Sequence, residues 1–156
     1  MTDGYLWFEG LPFAHVGWSC EGLKEACTKF VIKDEDTVMV SYPKSGTHWL
    51  IEILCLIHSK GDTKWIRSVS IWDRAPWLEI DSGYKLLKER EGPRLLAFHL
   101  PFHLFPKSFF TSKAKVIYIM RNPKDVLVSS LDQYFQWFLQ GHGESLTYRS
   151  ASTLLS

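Results

Sequence analysis

The stretch Ser41-Tyr42-Pro43-Lys44-Ser45-Gly46-Thr47-His48-Trp49 constrains this chain more than any other. One apolar run, Val38-Met39-Val40, precedes it and another, Leu50-Ile51-Glu52-Ile53-Leu54-Cys55-Leu56-Ile57, follows. The pattern predicts a strand, a tight Lys/Gly loop and a buried helix. Glycine lets backbone approach a ligand, and a helix start presents unpaired N–H groups at the positive end of its dipole. Lys44 adds a full charge. Such a loop suits a phosphate or sulfate and points to a phosphorylated cofactor. The plainer alternative is a strand-to-helix turn capped by Thr47.

The loop lacks the G-x-x-x-x-G-K-[ST] spacing of a Walker A motif. The last strand candidate runs into Arg121 rather than into an acid that could hold Mg²⁺. Both facts argue against a metal-assisted nucleotide hydrolase. No metal site is expected elsewhere: Cys20, Cys27 and Cys55 have no ligand spacing, and the six histidines include no H-E-x-x-H pattern. An odd cysteine count without a disulfide framework fits a reducing compartment. The N-terminus shows no signal-peptide pattern and no apolar run reaches membrane-spanning length, so a cytoplasmic protein with no membrane association is expected. A net charge of +1 argues against nucleic acid as a main partner.

At 156 residues and 46% hydrophobic, the chain can bury a real core. Residues 1–19 read as an ordered aromatic arm and residues 20–31 as a short helix. Asp34-Glu35-Asp36 reads as a polar turn before a strand near 37–42. The helix at 47–59 is apolar almost all round, interrupted by Glu52, and is expected to be buried. An irregular stretch holds Trp72, Pro76 and Trp77, and a helix follows at 81–90. Residues 94–98 and 115–120 are strand candidates, the second the clearest of all, and Pro123 opens a further helix. Near-continuous apolar strands separated by helices predict an α/β fold with a parallel sheet flanked by helices. From Gly141 the chain is polar and Ser/Thr-rich and has little to bury, so 141–156 is expected to be a disordered tail.

Several further residues could carry chemistry. Arg121 leaves a strand's carboxyl end, where open α/β sheets bind ligands, and a guanidinium there can clamp a phosphate. Ser129 lies eight residues on, about two helical turns, so the two could share one side. A surface arginine and a solvated serine are an equally good account. His99 also sits at a strand's carboxyl end and could take a proton near neutral pH, although a lone histidine there is more often structural. Trp72 and Trp77 could wall an apolar pocket or pack in the core.

Taken together, these residues form a recognisable set. The chain resembles the cytosolic sulfotransferases, most closely the hydroxysteroid (bile salt/alcohol) branch. The matching motifs are Trp7-Phe8-Glu9-Gly10, Tyr42-Pro43-Lys44-Ser45-Gly46-Thr47, Ile71-Trp72 with Pro76-Trp77, His99-Leu100-Pro101, Phe105-Pro106-Lys107-Ser108-Phe109-Phe110, and the run Arg121-Asn122-Pro123-Lys124-Asp125-Val126-Leu127-Val128-Ser129.

The resemblance implies transfer of a sulfonate from 3′-phosphoadenosine 5′-phosphosulfate (PAPS) to a small-molecule alcohol, such as a hydroxysteroid or bile acid, without a metal. It implies that His99 is the base and that Lys44 stabilises the leaving phosphate oxygen. Lys44, Ser45, Gly46, Thr47 and His48 would hold the 5′-phosphosulfate, and Trp49 would pack on the adenine. Arg121 and Ser129 would bind the 3′-phosphate, and Trp72 and Trp77 would line the acceptor pocket. His48 departs from the family, in which many members carry Asn or Thr. Ala97 departs where some members carry Lys.

After Ser129 the pattern breaks. Residues 131–141 resemble a family segment that normally lies further along the chain. The resemblance therefore predicts residues 1–140 as the N-terminal part of one sulfotransferase domain, incomplete on its C-terminal side, as in a truncated or alternatively spliced form. The family's dimer-forming segment would be missing, which argues against the family-type homodimer. The alternative is a non-catalytic truncated isoform with weak or no PAPS binding.

Overall fold

The computed structural model describes residues 5–14 and 16–137; the polar tail expected at 141–156 lies outside them. The chain divides into two units, residues 1–120 and 121–156.

The first unit opens with a hairpin. Strands β1 (Tyr5–Phe8) and β2 (Leu11–Ala14) pair antiparallel, with Phe8 opposite Leu11. Glu9 (φ 49°) and Gly10 (φ 79°) form the two-residue turn, both left-handed as a tight hairpin turn of this kind requires. The arm read from the sequence is thus a sheet element. Leu6, Phe8, Leu11 and Phe13 lay its apolar side against the main core. Helix α1 (Cys20–Thr28) follows, capped by Ser19, whose hydroxyl accepts from the Gly22 amide at 3.0 Å.

The central sheet has three parallel strands in the order β4-β3-β5. They are β3 (Thr37–Ser41), β4 (Leu95–Phe98) and β5 (Lys115–Ile119). β4 is buried along its whole length. β5, the clearest strand in the sequence, is much less covered: Val116 is 49% exposed and Tyr118 58%. An apolar strand sequence records fitness for burial, while position in the sheet decides the burial itself. β4 has a neighbour on each side, since residues 76–78 add a short parallel bridge to its outer edge.

Between β3 and β4 run α2 (Thr47–His58), α3 (Thr63–Ser68), α4 (Ile71–Arg74) and α5 (Asp81–Glu89). The expectation that α2 is buried all round fails. Thr47, Ile51 and Cys55 are buried, one residue per turn along a single face, whereas Trp49 and Ile57 are mostly exposed. Glu52 lies off the buried line and forms a bidentate pair with Arg74, at 2.8 and 2.6 Å, and this lowers its pKa. The stretch read as irregular is largely two short helices. Asp62 caps α3 and Ser70 caps α4, so Trp72 is helical. Those caps were visible in the sequence, but helices of six and four residues carry too little periodicity to announce themselves.

The amino end of the sheet is tied by an ion pair. Asp36, read as part of a polar turn, is fully buried and paired with Arg94. Its Oδ1 accepts from the Arg94 Nε at 3.0 Å and its Oδ2 from the Lys33 amide at 2.8 Å. Arg94 also donates to the carbonyls of Leu87 (3.0 Å) and Val31 (2.7 Å). One arginine thus ties β4 to α5, to the segment after α1 and to the start of β3.

In the second unit, Asn122 caps α6 (Pro123–Trp137), its side chain accepting from the Lys124 amide at 3.0 Å. Pro123 is the first helical residue, as expected.

Candidate functional site

The carboxyl ends of β3 and β4 bring together most of the residues singled out in the sequence. The loop leaving β3 has two left-handed residues, Lys44 (φ 67°) and Gly46 (φ 106°). A lysine in this region costs on the order of 1 kcal/mol and holds only where the surrounding structure imposes it. Gly46 supplies the second left-handed position without a Cβ penalty and serves as the N-cap of α2. No side chain caps this helix start. In this it differs from α1, α3 and α4, whose caps are Ser19, Asp62 and Ser70. Thr47, the cap in the plainer alternative reading of the loop, is instead the first helical residue, and its hydroxyl points elsewhere.

That hydroxyl bonds to the Ser41 hydroxyl at 2.7 Å, with both residues buried. Ser41 in turn holds His99. The ring Nδ1 lies 2.7 Å from the Ser41 carbonyl oxygen and 3.2 Å from its Oγ. A carbonyl can only accept, so Nδ1 carries the proton and Nε2 presents its lone pair. The Trp77 indole N–H donates to that Nε2 at 3.0 Å. Burial lowers the His99 pKa, the Ser41 carbonyl opposes that shift and the charge of His48 reinforces it. The ring is therefore a neutral imidazole of fixed tautomer.

The two tryptophans stand next to this ring. Trp77 is buried in the core while Trp72 is half exposed, and their rings lie 4.5 Å apart. Trp77 thus packs in the core, one of the two alternatives left open by the sequence, while Trp72 stands at the surface. Trp77, Trp72, Ile80 and Leu86 line a small crevice. Its floor depends on Gly83, where a Cβ would stand 2.1 Å from the Trp77 carbonyl oxygen, so α5 can approach there only without a side chain. The exposed His48 ring lies 5.4 Å from that of Trp77 and 6.0 Å from that of Trp72. Trp49, at the surface of α2, is 69% exposed.

Arg121 and Ser129 belong to the second unit. Arg121 precedes α6 rather than lying on it, so the helical spacing that would put the two on one side does not apply. Asn122 and Pro123 start the helix after Arg121.

One residue of the site was missed in the sequence. Glu79 is buried, and its Oε1 accepts from the His99 backbone N–H at 2.9 Å. Burial pushes its carboxyl up to about 7. The available signal was a lone acid in an otherwise apolar stretch, Pro76-Trp77-Leu78-Glu79-Ile80. Among the described residues no group of His, Cys, Asp and Glu is arranged to hold a metal, and no helix is long and apolar enough to cross a membrane.

The family model for the sulfotransferase domain matches residues 34–150. Sulfotransferase 2A1 of Macaca fascicularis is 59% identical over 157 residues, covering 91% of this chain and 55% of that protein. The 3-beta-hydroxysteroid sulfotransferase of Cavia porcellus is 57% identical, with the same coverage of each chain. Among solved structures, mouse sulfotransferase SULT7A1 complexed with PAP superposes with a TM-score of 0.65 at 29% identity, covering 85% of this chain and 44% of that one. The chain spans about half the length of the curated relatives it matches.

Proposed function

This chain belongs to the sulfotransferase domain family, and on that premise we propose that it transfers a sulfonate from PAPS to the hydroxyl of a bulky apolar alcohol such as a hydroxysteroid. The observation that carries this reading is the hydrogen-bond chain Thr47–Ser41–His99. It joins the Lys44–Gly46 loop to a neutral histidine, so an anion site and a proton acceptor share one framework.

The residues present fit the donor. The uncapped start of α2, the left-handed Lys44 and Gly46 and the lysine charge form a cradle for a phosphosulfate. Lys44, Ser45, Gly46, Thr47 and His48 would hold that group, and the exposed face of Trp49 would take the adenine. The motif, rather than the geometry, assigns Arg121 and Ser129 to the 3′-phosphate. When bound, PAPS supplies the sulfonate and the leaving phosphate.

The Trp77 indole N–H that Nε2 accepts from in this structure gives way to the acceptor hydroxyl, and His99 Nε2 takes that hydroxyl's proton as its oxygen bonds to sulfur. The Nδ1–H bond to Ser41 keeps Nε2 free of a proton beforehand and stabilises the imidazolium afterwards. Lys44 stabilises the charge that develops on the leaving phosphate oxygen as the old S–O bond breaks. Trp72 and Trp77 supply the apolar contact for the acceptor, and a soluble cytoplasmic setting suits such chemistry.

Two measurements on the purified 156-residue chain test this: thermal stabilisation by PAPS, and labelled sulfonate transfer to a hydroxysteroid. Stabilisation with transfer is expected. Stabilisation without transfer would favour a non-catalytic PAPS binder, and neither would sink the proposal.

A further inference from the structure

We infer that Glu79 is the positioning residue of His99: its carboxyl takes over from the sheet ladder where His99 leaves β4, and so aims the ring. The inference rests on the reading of His99 as the base.

The ladder itself shows why a side chain is needed there. Along the outer edge of β4, the Ala97 amide donates to the Pro76 carbonyl at 3.1 Å and the Leu78 amide to the Ala97 carbonyl at 2.9 Å. Continued by one step, this parallel pattern would send the His99 amide to the Leu78 carbonyl. The main chain turns away at Leu78–Glu79 instead, and the Ile80 amide bonds back to the Trp77 carbonyl at 3.2 Å. The His99 amide is left at the end of the sheet, and the Glu79 Oε1 accepts from it at 2.9 Å. On the other side, the paired register of β3 and β4 ends at Val40 and Phe98. The Glu79 carboxyl is therefore the group that holds the His99 backbone after both ladders have stopped.

The consequence reaches the ring. Its two nitrogens are held by Ser41 at 2.7 Å and by Trp77 at 3.0 Å, and both bonds need the backbone at 99 in place. Trp77 and Glu79 come from the same turn, so one short segment fixes both the His99 backbone and its Nε2. The other carboxyl oxygen of Glu79 is buried without a hydrogen-bond partner. A neutral acid suits this position better than an ion, which fits the upward shift of its pKa to about 7. Glutamine keeps a neutral carbonyl oxygen that can accept from the His99 amide, although its NH2 is buried without an acceptor, so it should still position the ring. Methionine keeps the volume and removes the acceptor.

The test is histidine ¹⁵N NMR on the full chain, with transfer kinetics beside it. In the wild type, His99 should show the Nδ1–H tautomer and titrate below the ordinary histidine value of 6.5. Glu79→Met should mix the tautomers, move the titration back towards that value, and lower kcat roughly 10²-fold with KM for PAPS little changed. Glu79→Gln should restore all three. A folded Glu79→Met chain with unchanged ring signals overturns the inference, as does a Glu79→Gln chain that behaves like Glu79→Met.

Should Glu79→Met fail to fold, the wild type decides. Its His99 amide should exchange slowly with solvent and shift as the Glu79 carboxyl ¹³C titrates, and a freely exchanging amide overturns the inference. A chain that transfers nothing, yet whose ring signals change in Glu79→Met and return in Glu79→Gln, sinks the reading of His99 as base while Glu79's hold on the ring stands.

Discussion

The two ends of the central sheet both bury charged and polar side chains, but in different ways. At the amino end, Asp36 and Arg94 saturate each other: both carboxylate oxygens accept, and the guanidinium also reaches two backbone carbonyls. At the carboxyl end the groups are only partly satisfied. α2 starts without a side-chain cap, Glu79 Oε2 has no partner, and Lys44 sits in a left-handed conformation. A buried polar network that closes on itself holds the fold together. One that leaves donors, a lone pair and strain unresolved is poised to meet a ligand. Since the two ends share strands, the contrast can be broken by experiment.

The largest effect should come at the amino end. Asp36→Ala strands a buried guanidinium and should cost about 3–5 kcal/mol in denaturant unfolding, enough to unfold the chain in many conditions. A loss below about 1 kcal/mol would mean that this end is not the anchor. At the carboxyl end, His99→Ala should reverse the balance. Transfer should fall roughly 10²–10⁴-fold, with a stability change of only about 1–2 kcal/mol from the released hydrogen bonds. Unchanged turnover would remove His99 as the base.

Glu79→Gln sharpens the comparison through pH. The Glu79 carboxyl ionises near 4.5 when unfolded and near 7 in the fold, so between those values the folded state holds the extra proton. Wild-type stability from this group is thus full below about pH 4.5 and falls as pH rises to about 7. The glutamine variant does not titrate there. Burying an amide NH2 without an acceptor sets a constant offset from wild type, and relative to that offset the variant should gain about 3 kcal/mol between pH 4.5 and pH 8 in urea melts. Parallel stability curves across that range would refute the buried-acid account.

Lys44→Ala should have the smallest effect on the fold. It keeps a Cβ at the left-handed position, so the backbone strain stays as it is, and it removes a charge-assisted contact worth about 1.5–3 kcal/mol to a bound anion. Thermal stabilisation by PAPS should therefore shrink while the unliganded melting temperature changes little. An undiminished PAPS shift would show that the cradle does not depend on this charge.

Much of this was legible from local signals. The strand-loop-helix around Lys44, the parallel strands, the helix opened by Pro123 and the placing of His99 at a strand end all follow from periodicity, and glycine and proline placement, whereas the base role of His99 comes only from the family resemblance. Other features depend on partners distant in sequence. Asp36 reads as a solvated turn until Arg94, 58 residues away, is brought against it. Trp77 and Trp72 look equivalent until the bridge at Ala97 buries one of them and leaves the other at the surface. β5 reads as the clearest strand, yet composition cannot report which edge of a sheet is covered.

What the sequence by itself determined is the set of chemical groups and the local turns that present them: a Lys/Gly loop at a helix start, a histidine at a strand end, and an α/β alternation with parallel strands. What only the tertiary structure decided is how those groups are coupled. The tautomer of His99, the use of Thr47 as a link rather than a cap, and the takeover of the ladder by Glu79 each depend on a hydrogen bond between segments from about 6 to 58 residues apart. Periodicity along a chain sees one element at a time, whereas direction and protonation are set where elements meet.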